Sequence, residues 1–373
     1  MGHVRPFVEG DIPQVARMHR MVFKLGDSVP LESYRDYFTR VFVDNPAGEG
    51  ALPSLVYEED DGRVLGFVGL VPRRIGINGH RFQALVSSQF IVDPAGPVGL
   101  VALRLAKAYL EGPQDVSIAD EANDVSRRIW EGLGGTTALL LSIYWTRPLR
   151  PARLAMSYLR RRRGLAPLAA ATSPLARVAD TIATRMRGSY FHQAEPPGRA
   201  DELCAQTVVA HEPEFCGKAS LRVEYDDRTF QWLLDRAASM QANGRLLKAV
   251  LRKGEEILGW YICHLDGEGV ADVVQLRAMP ASIDAVLDHL FHEAWRQGGV
   301  AVTGRLEPRF MQSLSDKYCL FHRRGPWVLV KTDKPEVLES FQTGSACFSR
   351  LDGEWSLRFS PPSSNLPTDG RVP

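Results

Sequence analysis

The stretch FIVDPAGPVGLVALRLAKAYL, residues 90–110, combines the residue types that bind an anion through backbone amides. Its start predicts the end of a strand, and Gly96 and Gly99 then permit a tight turn into an apolar helix. The exposed amides and the positive dipole end of a helix N-terminus favour a phosphate. For the turn taken alone, an ordinary strand-to-helix connection shaped by Gly and Pro is the better interpretation.

Acid–base candidates follow the next predicted strand. In SIADEAN, residues 117–123, Asp120 and Glu121 come just past the strand end, where a carboxylate could accept a proton. A solvated charged loop explains either carboxylate equally well. One of Ser87 and Ser88 should point to the active face of its strand, although hydrogen bonding to the backbone explains them as well. Tyr144 and Trp145 could line an acceptor pocket, but core packing explains them equally well.

Other reactive side chains give weaker signals. His289 and His292 are three residues apart with Glu293 beside them, but the sequence offers no third metal ligand, so helix-surface histidines are the better interpretation. Cys319 and His322 have a spacing too common to indicate nucleophilic catalysis. We therefore predict no metal site.

The composition limits the class of protein. With 373 residues, the chain is longer than a domain with a single hydrophobic core usually is, so we predict two domains. A net charge of +1 gives no overall field for nucleic acid or membranes, so no nucleic-acid partner is expected. Five scattered cysteines without a CxxC pair predict reduced thiols in a cytoplasmic protein. The opening residues contain no apolar run, so we predict no signal peptide.

The elements that must position these residues alternate between helices and strands. Two amphipathic helices precede a run of antiparallel strands, which leads to the glycine turn, its helix, a strand, a second helix and the strand TTALLLSIYWTRPL. This order predicts an α+β fold around a mostly antiparallel sheet with one strand–helix–strand unit. The second half repeats it in outline, without the glycine turn.

The chain therefore divides into four predicted segments. Residues 1–147 form the domain with the glycine turn, and residues 148–189 form an arginine-rich connector. Residues 190–359 form a related but degenerate domain, and residues 360–373, rich in Pro and Ser, form a disordered tail.

The connector holds most of the local charge. Residues 147–187 contain ten arginines and one acid, Asp180. A solvated face, an acidic acceptor and a weak contact with an anionic surface are all open interpretations of this region. The run that would make the surface contact consists of Arg160, Arg161, Arg162 and Arg163.

Residues 3–146 resemble the GCN5-related N-acetyltransferase (GNAT) family. HVRPFVEGDIPQVARMH resembles the family's first strand and helix, and GRVLGFVGLVPRRI resembles its hairpin. Residues 90–110 resemble the acyl-CoA-binding strand, turn and helix, and SIADEANDVSRRIWEGLGG resembles the next strand and helix. The whole chain then resembles a tandem GNAT arrangement, two mostly antiparallel twisted sheets flanked by helices.

The resemblance implies acetyl-CoA or another acyl-CoA as the cofactor. It implies that the splayed strand offers backbone groups to pantetheine, that the turn holds the pyrophosphate, and that Asn123 faces the thioester. Asp120, Glu121 and Asn123 are the catalytic candidates. The cofactor-binding candidates are Phe90, Ile91, Val92, Gly96, Val98, Gly99, Leu100, Asn123, Ser126 and Trp130. The sequence departs from the family where Pro97 removes an amide and where Trp130 occupies the place of a tyrosine acid.

Two functions follow from this resemblance. The first is an enzyme that transfers an acyl group from acyl-CoA to the amine of a small-molecule or envelope-sugar acceptor bound between the domains. The second is a non-catalytic GNAT-like protein that binds acyl-CoA or acts as a scaffold. A transferase that uses an aminoacyl-tRNA donor is a third possibility, which the near-neutral charge disfavours.

Overall fold

The computed structural model describes residues 2–25, 29–47, 52–160, 166–186, 188–196, 198–217 and 221–360. Within them, the strands are β1 (His3–Pro6), β2 (Leu55–Glu58), β3 (Val64–Ile77), β4 (His80–Val92), β5 (Val116–Ala122), β6 (Thr136–Thr137), β7 (Tyr144–Pro148), β8 (Arg199–Asp201), β9 (Arg222–Val223), β10 (Arg245–Lys253), β11 (Glu256–Leu265), β12 (Val270–Ala278), β13 (Ala301–Arg305), β14 (Leu320–His322) and β15 (Trp327–Thr332).

Eleven α-helices lie between these strands in the described ranges. They are α1 (Ile12–Val22), α2 (Leu31–Phe38), α3 (Val98–Leu110), α4 (Asp124–Gly132), α5 (Pro151–Arg160), α6 (Ala166–Arg185), α7 (Ala205–Cys216), α8 (Asp227–Ser239), α9 (Ile283–Arg296), α10 (Met311–Asp316) and α11 (Pro335–Thr343). The predicted α+β class is confirmed.

Two compact units are present, and neither is continuous in the chain. The first comprises residues 1–139, 218–242 and 326–373, and the second comprises residues 140–217 and 243–325. The contiguous segments predicted from the sequence therefore do not coincide with the units, because α8 and the chain from β15 onward fold with the first unit.

The sheet orders show why the units are discontinuous. The first sheet runs β1-β2-β3-β4-β5-β15-β6, with β9 added on β3, and the second runs β14-β7-β13-β12-β11-β10-β8. In the first sheet, the parallel pair β4–β5 has β15 as its antiparallel neighbour. In the second sheet, the parallel pair β12–β13 has β7 as its antiparallel neighbour. Each of these neighbours comes from the other half of the sequence. The expected strand TTALLLSIYWTRPL is thus divided, with Thr136–Thr137 in the first sheet and Tyr144–Pro148 in the second.

The first unit has apolar packing on both faces of its sheet. On one face, α3 and α4 bury Leu105, Tyr109 and Trp130 against β4, β5 and β15. On the other face, Phe7, Phe38, Phe42 and Phe67 form edge-to-face and tilted aromatic contacts. Such pairs contribute about 0.5–1.5 kcal/mol each beyond the area they bury.

The second unit buries its own core under α9. Val286, Leu287, Leu290 and Phe291 on α9 pack with Trp145 of β7. Tyr144 and Trp145, predicted as residues of an acceptor pocket or of a core, are both buried in this unit.

The connector forms the helix pair α5 and α6 of the second unit. Asp180 on α6 is buried, accepts the amides of Ala152 and Arg153 at 2.9 and 3.0 Å, and pairs with the Arg153 side chain. Arg160 ends α5, whereas Arg161, Arg162 and Arg163 lie outside the described residues, as does the predicted tail from residue 361. Of the helices in the described ranges, none has the length and apolar character needed to cross a membrane.

Residues 344–360, which we call the return segment, complete the first unit. A short 3₁₀ turn at Glu354–Leu357 lies against β4, β5 and α8. Hydrogen bonds fix its backbone: Arg73 Nε donates to the Asp352 carbonyl at 2.8 Å, and Arg236 donates to the Ser356 and Arg358 carbonyls. Tyr37 donates its hydroxyl to the Leu357 carbonyl.

Gly353 allows the return segment to approach β5 closely. A Cβ at this position would lie 2.0–2.2 Å from the carboxylate of the fully buried Asp120. We predict that Gly353→Ala lowers the free energy of unfolding by about 1–3 kcal/mol, the usual cost of overpacking. Urea unfolding measures the change.

Gly132→Ala is the matched control for this prediction. Gly132 ends α4, and a Cβ there would have no atom within 4 Å, so its stability should be unchanged or slightly raised. Equal stabilities of the two variants would contradict the close packing at Gly353.

Candidate active site

The strands β4 and β5 separate at their carboxyl ends. Their parallel pairing joins Ala84 to Val116, Leu85 to Ser117 and Val86 to Ile118. Beyond these pairs β4 continues to Val92 and β5 to Ala122. Backbone amides and carbonyls on separated strands can pair with an extended ligand, as a sheet edge does.

A β-bulge lies on β4 just beyond the point of separation. Ser88 pairs with Gly69 and Ile91 with Phe67, so Gln89 and Phe90 together oppose one residue of β3. Gln89 has a φ of 52°, in the left-handed region that residues with a side chain rarely adopt. Strain of this kind persists where the surroundings hold it, and it often marks a functional site.

The glycine turn follows the end of β4. Asp93 Oδ1 accepts the Ala95 amide at 2.8 Å, and the Pro97 carbonyl accepts the amides of Leu100 and Val101. Gly99 is exposed, and its amide has no acceptor within the described ranges. The first turn of α3 contains no acidic residue. An exposed helix N-terminus of this kind can bind an anion, although Pro97 supplies no amide.

Apart from the glycines of the turn, five of the ten predicted cofactor residues lie at the end of β4 or in the first turn of α3. Ile91 is buried, whereas Phe90 and Val92 are partly buried on the α3 side of the sheet. The side chains of Val98 and Leu100, in the first turn of α3, are each 45% exposed. These five residues are brought together at the end of β4, and their contact with a cofactor stays a prediction.

Gly96 and Gly99 belong to the turn and to the start of α3, and the last three predicted residues lie at or in α4. Asn123 is exposed and caps the helix, because its Oδ1 accepts the Ser126 amide at 2.9 Å. Trp130 is 3% exposed and packs edge-to-face on Tyr109 in the core. The indole thus has a packing role, which the sequence pattern could not distinguish from a place beside the cofactor.

The two predicted carboxylates lie inside β5 and not past its end as the sequence analysis expected, and both contact the return segment. Asp120 is fully buried, and its Oδ1 accepts the Glu354 amide at 2.6 Å. Glu121 pairs with Arg350 at 3.3 Å and with Arg358. Each carboxylate therefore has a partner in the folded unit, and a role as catalytic base stays a prediction for both.

Glu354 is a candidate that the sequence analysis missed. Its Oε1 accepts the Gln89 amide at 3.1 Å, and its own amide donates to Asp120, so it connects β4 with β5. Burial, followed by the nearby Asp120 charge, raises the pKa of Glu354 to about 8. The residue nevertheless keeps some exposure to solvent. The surrounding stretch CFSRLDGEWSLRF, residues 347–359, contains two acids and two arginines and gives no signal that singles out Glu354.

His19 supports the bulge from α1. Its Nε2 lies 2.7 Å from Gln89 Oε1, and burial lowers the pKa of His19 to about 4. The imidazole is therefore neutral at pH 7. Because an amide oxygen can only accept a hydrogen bond, Nε2 carries the proton and donates it. This contact holds the Gln89 side chain while the Gln89 amide faces Glu354.

The corresponding end of β12 in the second unit is different. β12 pairs with β13 through Val273 and Gly304 and then continues to Ala278. Arg277 is fully buried there and pairs with Glu212 at 2.8 Å and with Glu307 at 2.9 Å. The turn that follows has no glycine. A buried ion pair thus lies where the first unit has a partly exposed carboxylate.

The weaker motifs have ordinary partners in the second unit. His289 Nδ1 lies 3.1 Å from the Tyr261 hydroxyl, and His292 Nδ1 lies 3.1 Å from the Ala194 carbonyl. Burial raises the pKa of Cys319 to about 12, while His322 contacts Thr146. Across the described ranges, no three His, Cys, Asp or Glu side chains group as metal ligands.

Comparisons with known proteins identify the fold. No family model matches the chain, and no curated protein matches it. It is similar to the structure of a conserved Enterococcus faecalis V583 protein of unknown function, described as a probable N-acyltransferase, with a TM-score of 0.57 and 11% identity over 91% of this chain and 74% of that chain.

Two further structures agree. A GCN5-related N-acetyltransferase from Anabaena variabilis gives a TM-score of 0.57 and 10% identity, covering 91% of this chain and 75% of its own. One from Kribbella flavida gives 0.53 and 14%, covering 88% and 70%. The chain has the GNAT fold, which confirms the resemblance at the level of the fold.

The buried His19 predicts a specific dependence of stability on pH. Since its folded pKa of about 4 lies below the ordinary value of 6.5, the unfolded chain binds the proton first as the pH falls. The free energy of unfolding should lose about 2 kcal/mol between pH 7 and pH 5 from this group alone. Urea unfolding of the native protein and of His19→Gln isolates the effect. Parallel pH curves for the two proteins would show that His19 does not titrate as proposed.

Proposed function

We propose that this chain is an acyltransferase that moves an acyl group from acyl-CoA to an amine. The observation that carries the proposal is the opening between β4 and β5, which leads directly to the glycine turn at the start of α3. The GNAT fold supports it, because acyl-CoA-dependent transfer is the activity that the family resemblance implies.

The arrangement matches the chemical needs of acyl transfer. A thioester arm can lie along the separated strands, and an anionic phosphate can meet the turn amides. Attack by a neutral amine creates an oxyanion, which a strand amide near Ile91 or Val92 would stabilise. Acetyl-CoA is the first cofactor to test, and a small-molecule or sugar amine is the proposed acceptor.

Cofactor binding gives the first test. We expect isothermal titration calorimetry to show micromolar binding of acetyl-CoA by the native protein. Gly99→Asp should weaken it at least tenfold, because it places a negative charge at the proposed phosphate site. A Cβ at Gly99 meets no atom within 4 Å, so the substitution fits the unliganded fold.

Gly10→Asp provides a matched control. Gly10 is also exposed and also has no atom within 4 Å of an added Cβ, but it lies before α1. Its affinity for acetyl-CoA should equal that of the native protein. The proposal is wrong if neither acetyl-CoA nor longer acyl-CoAs bind.

Turnover separates an enzyme from a binding protein. We expect release of the CoA thiol from acetyl-CoA, measured with a thiol reagent, when small primary amines and amino sugars are added. Tight binding without thiol release for any amine, or for water, would instead support a non-catalytic acyl-CoA-binding or scaffold protein.

A further inference from the structure

We propose that Glu354, contributed by the return segment, is the catalytic proton acceptor of this site. The inference rests on the proposed acyltransferase function and assigns its base. It differs from the sequence-based prediction, which placed the base at Asp120 or Glu121.

Position is the first argument for Glu354. Its carboxylate accepts the amide of Gln89 on β4, and its backbone amide donates to Asp120 on β5. Gln89 lies three residues beyond the last paired residue of β4, and Asp120 lies two residues beyond that of β5. Glu354 therefore joins the two strands where they have just separated. A thioester lying between the strands would have its carbonyl close to this carboxylate.

Availability is the second argument. Asp120 is fully buried, and Glu121 is held by two arginines, so neither carboxylate is free to meet an acceptor amine. Glu354 keeps some exposure and has no ion-pair partner among the described residues. A general base must reach the proton that it removes. Of these three residues, Glu354 is the one that combines partial exposure with no arginine partner among the described residues.

The charges around Glu354 suit a base that works near neutral pH. Removal from water and then the like charge of Asp120 disfavour the ionised carboxylate, so the pKa of Glu354 lies above that of an exposed glutamate. The Gln89 amide opposes this change but does not cancel it. The charged or titratable groups on the elements around it include Glu121 on β5, Arg73 on β3, His19 on α1, Tyr37 on α2, Tyr109 on α3, Arg236 on α8, and Arg350, Asp352 and Arg358 on the return segment.

The proposed step balances as follows. The neutral amine nitrogen attacks the thioester carbon and forms the C–N bond, while the carbonyl π pair moves to oxygen. The Glu354 carboxylate takes the proton from the attacking nitrogen. Collapse of the oxyanion breaks the C–S bond, and the CoA thiolate recovers the proton from Glu354. This route needs no tyrosine acid, which suits a site whose Trp130 is in the core.

Glu354→Gln tests the assignment. The amide side chain can still accept the Gln89 N–H, so the fold and the acetyl-CoA affinity should match the native protein. Thiol release from acetyl-CoA should fall by about 10²–10⁴-fold, the usual contribution of a general base. The rate is measured with the fastest amine of the screen, or with water if no amine reacts. Glu339→Gln on the exposed face of α11 is the control and should keep the native rate.

The pH profile separates catalysis from a structural role. The native rate should rise with pH around pH 8, because only the ionised carboxylate accepts a proton. Asp120→Asn keeps an oxygen for the Glu354 amide but removes the like charge, so the rise should move to lower pH with the same amine. A residue that only supports the fold would not shift this profile.

Each outcome decides a distinct claim. If the native protein binds acetyl-CoA but releases no thiol at any pH, the proposed enzyme function and the role of Glu354 both fail. If Glu354→Gln releases thiol at the native rate, only the role of Glu354 fails. If Asp120→Asn leaves the profile unmoved, the titrating base is a group other than Glu354.

Discussion

Two hydrogen bonds that meet at Glu354 link β4 and β5 just beyond the point where the strands separate. The Gln89 amide would otherwise need a partner from the sheet, and a buried polar group without one costs about 1–3 kcal/mol. The bulge directs this amide to the Glu354 carboxylate, while Asp120 receives the Glu354 amide. The site therefore depends on a side chain that replaces strand pairing just beyond the point where the strands diverge.

The connectivity explains how so distant a residue reaches this place. Glu354 lies 265 positions after Gln89 in the chain and 234 after Asp120. β15 enters the first sheet beside β5, and α11 and the return segment follow it into the same unit. Because β15 joins the first sheet, the chain that follows β15 belongs to the first unit. If β15 belonged to the second sheet instead, the return segment would follow a strand of the second unit.

The sequence predicts the local elements well because their signals are local. The glycines of the turn and the apolar spacing of α1 each act within a few residues, and the structure contains both features. Strand partners are different, because an apolar run such as WVLVKT carries no mark of the sheet that will accept it. Which sheet β7 and β15 join therefore depends on the whole chain, and the contiguous segments predicted from the sequence do not reproduce it.

The same limit explains the site. The sequence singles out Asp120 and Glu121 because they lie near the end of a strand close to the turn, whereas Glu354 lies among core residues of a segment with no motif. Its environment arises from burial, Asp120 and the Gln89 amide, and none of these is local in sequence. Trp130 shows the opposite case, since its spacing on α4 fits both a cofactor contact and a core position, and only packing decides between them.

The two units have similar sheet orders, but the strand end beyond the parallel pair is different in each. In the second unit, Arg277 and its two carboxylate partners satisfy one another in a buried network. Breaking a buried ion pair costs about 3–5 kcal/mol, so a ligand that entered there would first have to offset that loss. In the first unit the equivalent strand end carries a bulge, a glycine turn and a carboxylate that is hydrogen-bonded but free of arginine. A ligand that entered there would meet groups already held in place, and no ion pair would have to break.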